Sequence, residues 1–410
     1  MKNEWKITLL AVICFVLGTS EFVIVGVLDK IALSSHISIA QAGQLISVFA
    51  ITVSVGTPVA IYFTSRFNQK KVLVLALSLV VISCLMMIAS STYLLFLLSR
   101  IVMAIGVGVF NVLCFLIATK LAKPERRGRA VATVTLGFNA ALIIGLPIGR
   151  IVTGLFGWQA IFIFTALLSF ISIFAIRRFI PSFDGEVPAS FRNELKLLKR
   201  SSIVLSLFTS FFWILGYSLL YSYITPYLQH TSAMSDRMLS ATFLVFGLAT
   251  LIGNRSGGVL GDKIGINKTI LISLVCNASA LVLLSVFSGS VYAAIFILII
   301  WGMAAWMPGP LFRYNAIALA PGSQAVILSL YNSIIQLGMA TGAAAGGIEI
   351  ENLPTSMLSW TAATIVLISL LFALLFSRSG LLGMKNNIRQ EHNRKQYKIT
   401  RLKFIINSKH

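Results

Sequence analysis

Long hydrophobic stretches alternate with short polar connections along almost the whole chain. Most of them reach or exceed the roughly 20 apolar residues that a helix needs to cross a bilayer. Such runs occupy residues 7–28, 43–64, 72–92, 95–119, 130–154, 158–176, 201–228, 238–260, 269–288, 291–313, 323–348 and 355–377. The stretch 269–312 contains no charged residue and must fold as two helices. The pattern therefore predicts an all-α membrane protein with twelve transmembrane helices.

One long polar stretch divides these runs into two sets of six. It predicts an N-terminal six-helix half (1–178), a cytoplasmic linker (179–200), a C-terminal half (201–378) and a basic cytoplasmic tail (379–410). The halves also match at a constant offset of 197 residues, in the pairs Gly56 and Gly253, Arg66 and Lys263, Lys71 and Lys268, Gly145 and Gly342, and Gly149 and Gly346. Five matches at one offset indicate duplicated, pseudo-symmetric six-helix bundles, an arrangement typical of one large class of transporters.

The composition supports a membrane protein. Of the 410 residues 57% are hydrophobic and 11% are charged, and the mean hydropathy is +0.91, whereas soluble domains are about one quarter charged. The net charge of +21 is unevenly placed, because 27 of the 33 lysines and arginines lie at the N-terminus, in the even-numbered connections and in the tail. Basic residues concentrate in cytoplasmic loops. We therefore expect both termini to be cytoplasmic, and we expect no nucleic-acid partner.

The cysteines and histidines point away from catalysis. Four cysteines lie in apolar runs without paired spacing, and four histidines lie outside these runs: Cys14, Cys84, Cys114, Cys276, His36, His230, His392 and His410. A disulfide framework, an intramembrane two-histidine metal site and a Ser–His nucleophile are thereby excluded. We expect no catalytic residue, no metal and no cofactor, so the sequence does not predict an enzyme.

Several motifs together resemble the major facilitator superfamily, and in particular its twelve-span drug:proton antiporter family. Gly18-Thr-Ser-Glu-Phe-Val-Ile-Val-Gly26 and Ala42-Gly-Gln-Leu-Ile-Ser47 are similar to the bacterial sugar-efflux and purine-efflux branch. A loop motif follows span 8, with Gly258, Asp262, Lys263 and Gly265, and an antiporter motif lies in span 5, with Gly145, Pro147 and Gly149. The resemblance implies the major facilitator fold, a bacterial cytoplasmic membrane location and a monomer.

The first copy of the loop motif departs from the family pattern. Ser65 and Asn68 replace an expected Asp and Gly, although Arg66, Lys70 and Lys71 remain. If the loop Asp locks the outward-facing state, this chain must depend on Asp262. Phe312-Arg313 also replaces a polar amide pair of purine-efflux relatives, which weakens any transfer of substrate identity.

Span 5 carries three residues with a backbone role. Gly145 and Gly149 let helices approach closely, and Pro147 removes a helical hydrogen bond. Two interpretations remain open: a bend about which the halves rock, or close packing without motion. Gly342, Gly346 and Gly347 form a corresponding set in span 11, without the proline.

Glu21 is the acidic residue that the pattern places inside a span. A carboxyl group in the membrane is costly and marks a functional site by default, since an apolar environment lets it hold a proton near neutral pH. Arg100 of span 4 is expected at similar depth, roughly 7–11 Å below the outer edge at about 1.5 Å per residue. The sequence thus predicts Glu21 as the proton carrier and Arg100 as its partner. The alternatives are a structural ion pair for Glu21 and an Arg100 that reaches the outer interface.

Polar and aromatic residues in the middle of the spans are candidates for a substrate cavity. They are Asn111 and Asn139 in the N-terminal half, and Trp213, Tyr217, Tyr221, Asn332 and Gln336 in the C-terminal half. Such groups around an apolar cavity suit a small neutral or weakly polar ligand, although an aromatic stripe also serves as helix packing. Arg313 has two interpretations, a contact for an anionic group or a cytoplasmic anchor.

These observations predict a proton-coupled efflux transporter that exports a small organic molecule, either a drug-like compound or a metabolite, by alternating access. Its partners are the substrate, protons and the lipid bilayer. The alternative is a facilitator or importer of a sugar or nucleoside, which has no need for a titrating Glu21.

Overall fold

The structure is a computed structural model that describes residues 4–90, 92–123, 126–185, 200–319 and 324–377. Most of the predicted linker, 186–199, and all of the predicted tail, 379–410, lie outside the described residues. Within the described ranges the chain is helical, and eleven stretches are long and apolar enough to cross a membrane. The remaining predicted span, 323–348, is also helical over Gln324–Asn352. The predicted all-α fold is confirmed.

We number the twelve long helices of the described residues in chain order. The N-half contains α1 (Glu4–Ser34), α2 (Ile39–Ile51 and Thr57–Thr64), α3 (Gln69–Ile88), α4 (Tyr93–Leu121), α5 (Arg127–Ala140 and Leu146–Phe156) and α6 (Gln159–Phe179). The C-half contains α7 (Ser201–Tyr221, continued by Ile224–Ser232), α8 (Asp236–Ile264), α9 (Ile266–Phe287), α10 (Val291–Trp306, continued by Gly309–Leu319), α11 (Gln324–Asn352) and α12 (Met357–Ser377).

Short connections make successive helices run in opposite directions, so the bundle has two faces. The linker face contains the start of α1, the end of α6 and the start of α7. The far face contains the end of α1 and the start of α8. The two faces are ends of the helix bundle and are independent of the sides of a membrane.

Two helices are interrupted by a π-helical turn just before a proline. Thr52–Gly56 joins the parts of α2 and precedes Thr57-Pro58, and Ala141–Gly145 joins the parts of α5 and precedes Leu146-Pro147. Proline has no N–H to donate, so the regular hydrogen-bond ladder cannot continue through it. The predicted backbone irregularity at Pro147 is present, and the equivalent one at Pro58 was missed.

Glycines of α5 lie directly against α1. A Cβ atom at Gly145 would collide with Thr19, and one at Gly149 would collide with Val23. On the other side of the molecule, Gly342 and Gly346 of α11 meet the backbone of α7 in the same way. Small residues are what allow two helices in a membrane to approach this closely. The contacts favour the close-packing interpretation of the span 5 motif.

Gly149→Ala is expected to lower the thermal stability of the purified protein, because the added methyl group overlaps Val23. Overpacking of this kind costs about 1–3 kcal/mol. Gly154→Ala, in the same helix, is the matched control, since nothing lies within 4 Å of its Cβ position. Unfolding temperatures in detergent measure both effects. Equal temperatures for the two variants would contradict the packing argument.

Candidate functional site

Glu21 lies near the centre of α1. Because α1 extends to Ser34, the carboxyl group is 13 residues from the far end of the helix, or about 20 Å at 1.5 Å per residue. The expected depth of 7–11 Å is counted from the end of the apolar run and stays a prediction. The side chain is half-buried, and it makes no hydrogen bond and no ion pair within 4.0 Å to any described residue. Glu21 thus differs from most charged groups in a membrane protein, which have close polar partners.

Arg100 is almost completely buried, at 1% exposure. Its Nε donates to the Leu45 carbonyl oxygen at 3.3 Å, and an Nη atom donates to the Ser20 carbonyl oxygen at 3.4 Å. The guanidinium also lies over the Phe49 ring, 4.4 Å from its centroid. These contacts tie α4 to α1 and α2. Arg100 thus contacts Ser20, the residue before Glu21. Its charge acts on Glu21 without a direct ion pair.

The polar candidates of the N-half lie on different helices. Asn111 of α4 and Asn139 of α5 are both half-buried. Cys14 Sγ of α1 lies 3.7 Å from the Asn111 Oδ1 atom, and it also lies 3.4 Å from Cys114 Sγ. Asn111 therefore lies at the contact between α1 and α4, the two helices that carry Glu21 and Arg100.

The aromatic candidates of the C-half are packed together. Tyr217 stacks on Tyr221 with ring centroids 4.9 Å apart, and Trp301 lies 5.5 Å from Tyr217. Trp213 donates from Nε1 to the Ala305 carbonyl oxygen at 2.7 Å. All three members of the predicted stripe are at least 95% buried. In this conformation the stripe forms part of the helix packing within the C-half.

The polar candidates of α11 are more accessible. Asn332 is exposed and Gln336 is half-buried. Arg313 of α10 is exposed as well and lies beside Tyr331, the residue before Asn332. Arg313 and Asn332 lie in the linker-face parts of their helices, whereas Gln336 lies near the middle of α11. These polar side chains differ from the aromatic stripe of α7 in being partly or fully accessible.

The residues of the two loop motifs lie at the linker face. Arg66, Lys71, Asp262, Lys263 and Gly265 are exposed, while Lys70 and Gly258 are half-buried. Asn68 accepts hydrogen bonds from the backbone N–H groups of Lys70 and Lys71 at 3.1 and 3.4 Å, and so caps α3. Asp262 makes no ion pair with a described residue. Gly265 has a φ of 94° and ends α8, which explains the glycine at this position.

A buried ion cluster at the far face was missed by the sequence analysis. Arg150 of α5 donates to both Asp29 carboxylate oxygens at 3.4 Å and to an Asp236 carboxylate oxygen at 2.6 Å. Lys30 Nζ lies 2.8 Å from Asp236. Asp29 and Arg150 belong to the N-half, whereas Asp236 begins α8 of the C-half.

This cluster corrects the statement that Glu21 is the acidic residue inside a span. Asp29 of α1 is buried within a helix that the hydropathy pattern ended one residue earlier. Glu349 of α11 is also buried, and Thr361 donates to its carboxylate at 2.7 Å. Both differ from Glu21 in having close partners. One signal in the sequence could have revealed this site. It is the pair of adjacent charged residues, Asp29 and Lys30, which a polar loop follows.

The halves meet from the far face to beyond the middle of the molecule. Helix α2 packs against α11, and the far part of α5 packs against α8. Thr225 donates to the Val25 carbonyl oxygen at 3.0 Å, and Ser54 donates to the Ser333 carbonyl oxygen at 3.0 Å. Ser333 is the ninth residue after Gln324, the first of α11. Between the level of Ser333 and the linker face, no hydrogen bond or ion pair joins described residues of the two halves.

The described helices form one membrane-type bundle, and comparison with known proteins identifies its family. The family model of the Major Facilitator Superfamily matches residues 10–343. The chain belongs to the major facilitator superfamily. It is 37% identical, over 379 residues, to an uncharacterized MFS-type transporter, YbcL, of Bacillus subtilis (strain 168). That match covers 92% of this chain and 97% of the relative.

Solved structures of the same fold confirm the architecture. A bacterial homologue of the human lysosomal transporter Spinster, in its inward-facing and occupied conformation, superposes with a TM-score of 0.75 at 18% identity, covering 92% of this chain and 97% of the other. Its unoccupied inward-facing form has a TM-score of 0.72 at 17% identity, with coverages of 93% and 98%. The human organic anion transporter MFSD10 has a TM-score of 0.65 at 16% identity, with coverages of 90% and 98%.

Membership of the superfamily establishes the general activity. This chain is a multi-pass membrane transporter and not an enzyme. A transporter of this fold acts on a small-molecule substrate across a lipid bilayer.

Proposed function

We propose that this protein is a proton-coupled antiporter that exports a small organic molecule by alternating access of its two halves. The observation that carries the proposal is Glu21, a half-buried carboxyl group at the middle of α1 without a hydrogen bond or ion pair to a described residue. A charged group in a membrane is normally paired or functional. Glu21 has the chemistry to bind and release a proton, and Arg100 contacts the residue before it, Ser20.

The proposed exchange requires that proton and substrate compete. Ionised Glu21 and Arg100 attract each other electrostatically, and protonation of Glu21 removes that attraction. Arg100 holds α4 against α1 and α2 through Ser20 and Leu45. A change in the charge of Glu21 therefore acts on the contacts among three helices. Arginine itself stays protonated in proteins, so Arg100 tunes the site without carrying the proton.

We assign the linker face to the cytoplasm, which makes both termini cytoplasmic. Basic residues in the described part of this face include Arg66, Lys71 and Lys263, and cytoplasmic loops are enriched in such residues. The two halves are joined at the far face. With the linker face in the cytoplasm, the protein is open towards the cytoplasm, like the inward-facing structures of the Spinster homologue. We place the protein in a bacterial cytoplasmic membrane as a monomer.

For the substrate we favour a compound that is largely apolar and has a few hydrogen-bonding groups. Asn111 and Asn139 lie half-buried in the N-half, and Gln336 lies half-buried in the C-half. Neutral amides pair with polar groups of a ligand without demanding a charge. The motifs of α1, α5 and α8 resemble the drug:proton antiporter family, within which drug-like compounds and sugar, nucleoside or purine metabolites are the candidates.

Transport in inverted membrane vesicles tests this proposal. Vesicles containing the protein are offered fluorescent dyes, nucleosides and sugars, with an acidic lumen and after nigericin has collapsed the pH gradient. We expect at least one compound to accumulate in the lumen only while the gradient exists. Equilibration without accumulation would instead identify a facilitator, and accumulation that nigericin leaves unchanged would contradict coupling to the pH gradient.

A further inference from the structure

The far-face cluster consists of Asp29, Lys30, Gln229, Arg150 and Asp236. The Arg150 side chain is 2% exposed and lies between carboxylates of both halves, whereas the Asp236 side chain is 45% exposed. Gln229 of the C-half donates to Asp29 at 3.2 Å, and the Gly26 carbonyl oxygen accepts a hydrogen bond from Arg150. Two cations face two carboxylates, so the cluster is electrically balanced while the halves touch.

The cluster divides unequally when the halves separate. Arg150, Asp29 and Lys30 all belong to the N-half, so the pair between Arg150 and Asp29 survives opening. Asp236 belongs to the C-half and loses both Arg150 and Lys30. Because Asp236 is already partly exposed, water replaces its partners at modest cost. The buried Arg150 keeps a counter-charge throughout.

From this asymmetry we infer that Arg150 and Asp236 form the latch of the far-face gate, and that Asp29 is the residue that allows the latch to open. Without Asp236, the closed state loses its ion pair between the halves. Without Asp29, Arg150 is neutralised only in the closed state, and opening leaves a buried arginine unpaired, which is strongly unfavourable. Removing Asp236 thus favours the open gate, and removing Asp29 favours the closed gate. The inference rests on alternating access and is independent of protons and of transport direction.

Access to a cysteine beneath the gate tests the inference. Thr225 is fully buried and contacts Val25 of the other half, so Thr225→Cys reacts with a membrane-impermeant maleimide from the far face only when the gate opens. The protein with its four native cysteines alone provides the blank. We expect Asp236→Asn to increase the labelling rate at least ~10-fold and Asp29→Asn to decrease it at least ~10-fold, since breaking a buried pair costs several kcal/mol.

The control variants distinguish loss of the latch from a general loosening of helix packing. Arg237 follows Asp236, is exposed, and makes no ion pair or side-chain hydrogen bond within the described chain, so Arg237→Gln is expected to label at the parental rate. The double variant Asp29→Asn with Arg150→Gln has no arginine left in the far-face cluster and is expected to label at least as fast as the parent. Size-exclusion profiles establish that each variant is folded.

Three outcomes would overturn the inference. They are faster labelling in Asp29→Asn, an effect of Arg237→Gln equal to that of Asp236→Asn, and continued slow labelling in the double variant. Because labelling does not depend on transport, loss of proton coupling in a separate assay leaves this test intact.

Discussion

Glu21→Gln is expected to abolish proton-driven accumulation while leaving a folded protein in the membrane. Glutamine matches the shape of a protonated glutamate but cannot release a proton, so the pH gradient loses its coupling to the substrate. In inverted vesicles the accumulation ratio is expected to fall to about one, because the variant can at most exchange substrate down its own gradient. Counterflow of labelled against unlabelled substrate measures whether the exchange itself persists.

The matched control is Glu4→Gln, which makes the same chemical change in the same helix. Glu4 is exposed at the linker-face end of α1, where its carboxylate pairs with Arg126 at 2.6 Å. Exposed pairs of this kind contribute at most about 1 kcal/mol, so we expect normal coupling. Full gradient-driven accumulation by Glu21→Gln would refute the assignment of Glu21 as the proton carrier.

Arg100→Gln is expected to reduce the transport rate at least ~10-fold, because the substitution removes both the charge and the hydrogen bonds that a buried guanidinium makes to α1 and α2. The variant loses the hydrogen bonds to Leu45 and Ser20 and the contact with the Phe49 ring. Arg100→Lys keeps the charge but cannot reproduce the planar, multiple hydrogen bonding of a guanidinium. We therefore expect partial activity from the lysine variant, together with a changed pH dependence.

Initial rates measured across a pH series distinguish the roles of Arg100. Arg178→Gln is the control, since Arg178 is exposed at the linker-face end of α6. A purely structural role predicts a lower rate with an unchanged pH profile in Arg100→Lys. A profile identical to that of the parent would therefore contradict the proposal that Arg100 tunes proton binding by Glu21.

Most of the fold was predictable because membrane-spanning helices are a local property of the chain. About twenty apolar residues satisfy their backbone hydrogen bonds within one helix, so each run could be found without knowing its neighbours. Helix ends were less predictable. The hydropathy pattern ended the first helix before Asp29, whereas the structure continues it to Ser34, because paired charges remove the penalty that hydropathy assigns to Asp29 and Lys30.

The candidate site was predictable only in part. Glu21 stands out in sequence because a carboxyl group within an apolar run is rare, and its role stays a prediction. The aromatic stripe of α7 has helical spacing, which is the same for a cavity wall and for a packed core. The structure packs Tyr217 and Tyr221 against Trp301 and Phe246, and this depends on α8 and α10, which no pattern within α7 reports.

The sequence by itself predicted that this protein crosses a membrane with twelve helices and that one apolar run carries a carboxyl group. Both properties follow from interactions of each segment with lipid and with its own backbone. Only the tertiary structure decided which charges meet. Arg150 lies 121 positions from Asp29 and 86 from Asp236, and it joins them because α1, α5 and α8 converge at the far face. Pairing across such separations depends on helix packing, which sets the geometry within which buried charges are neutralised.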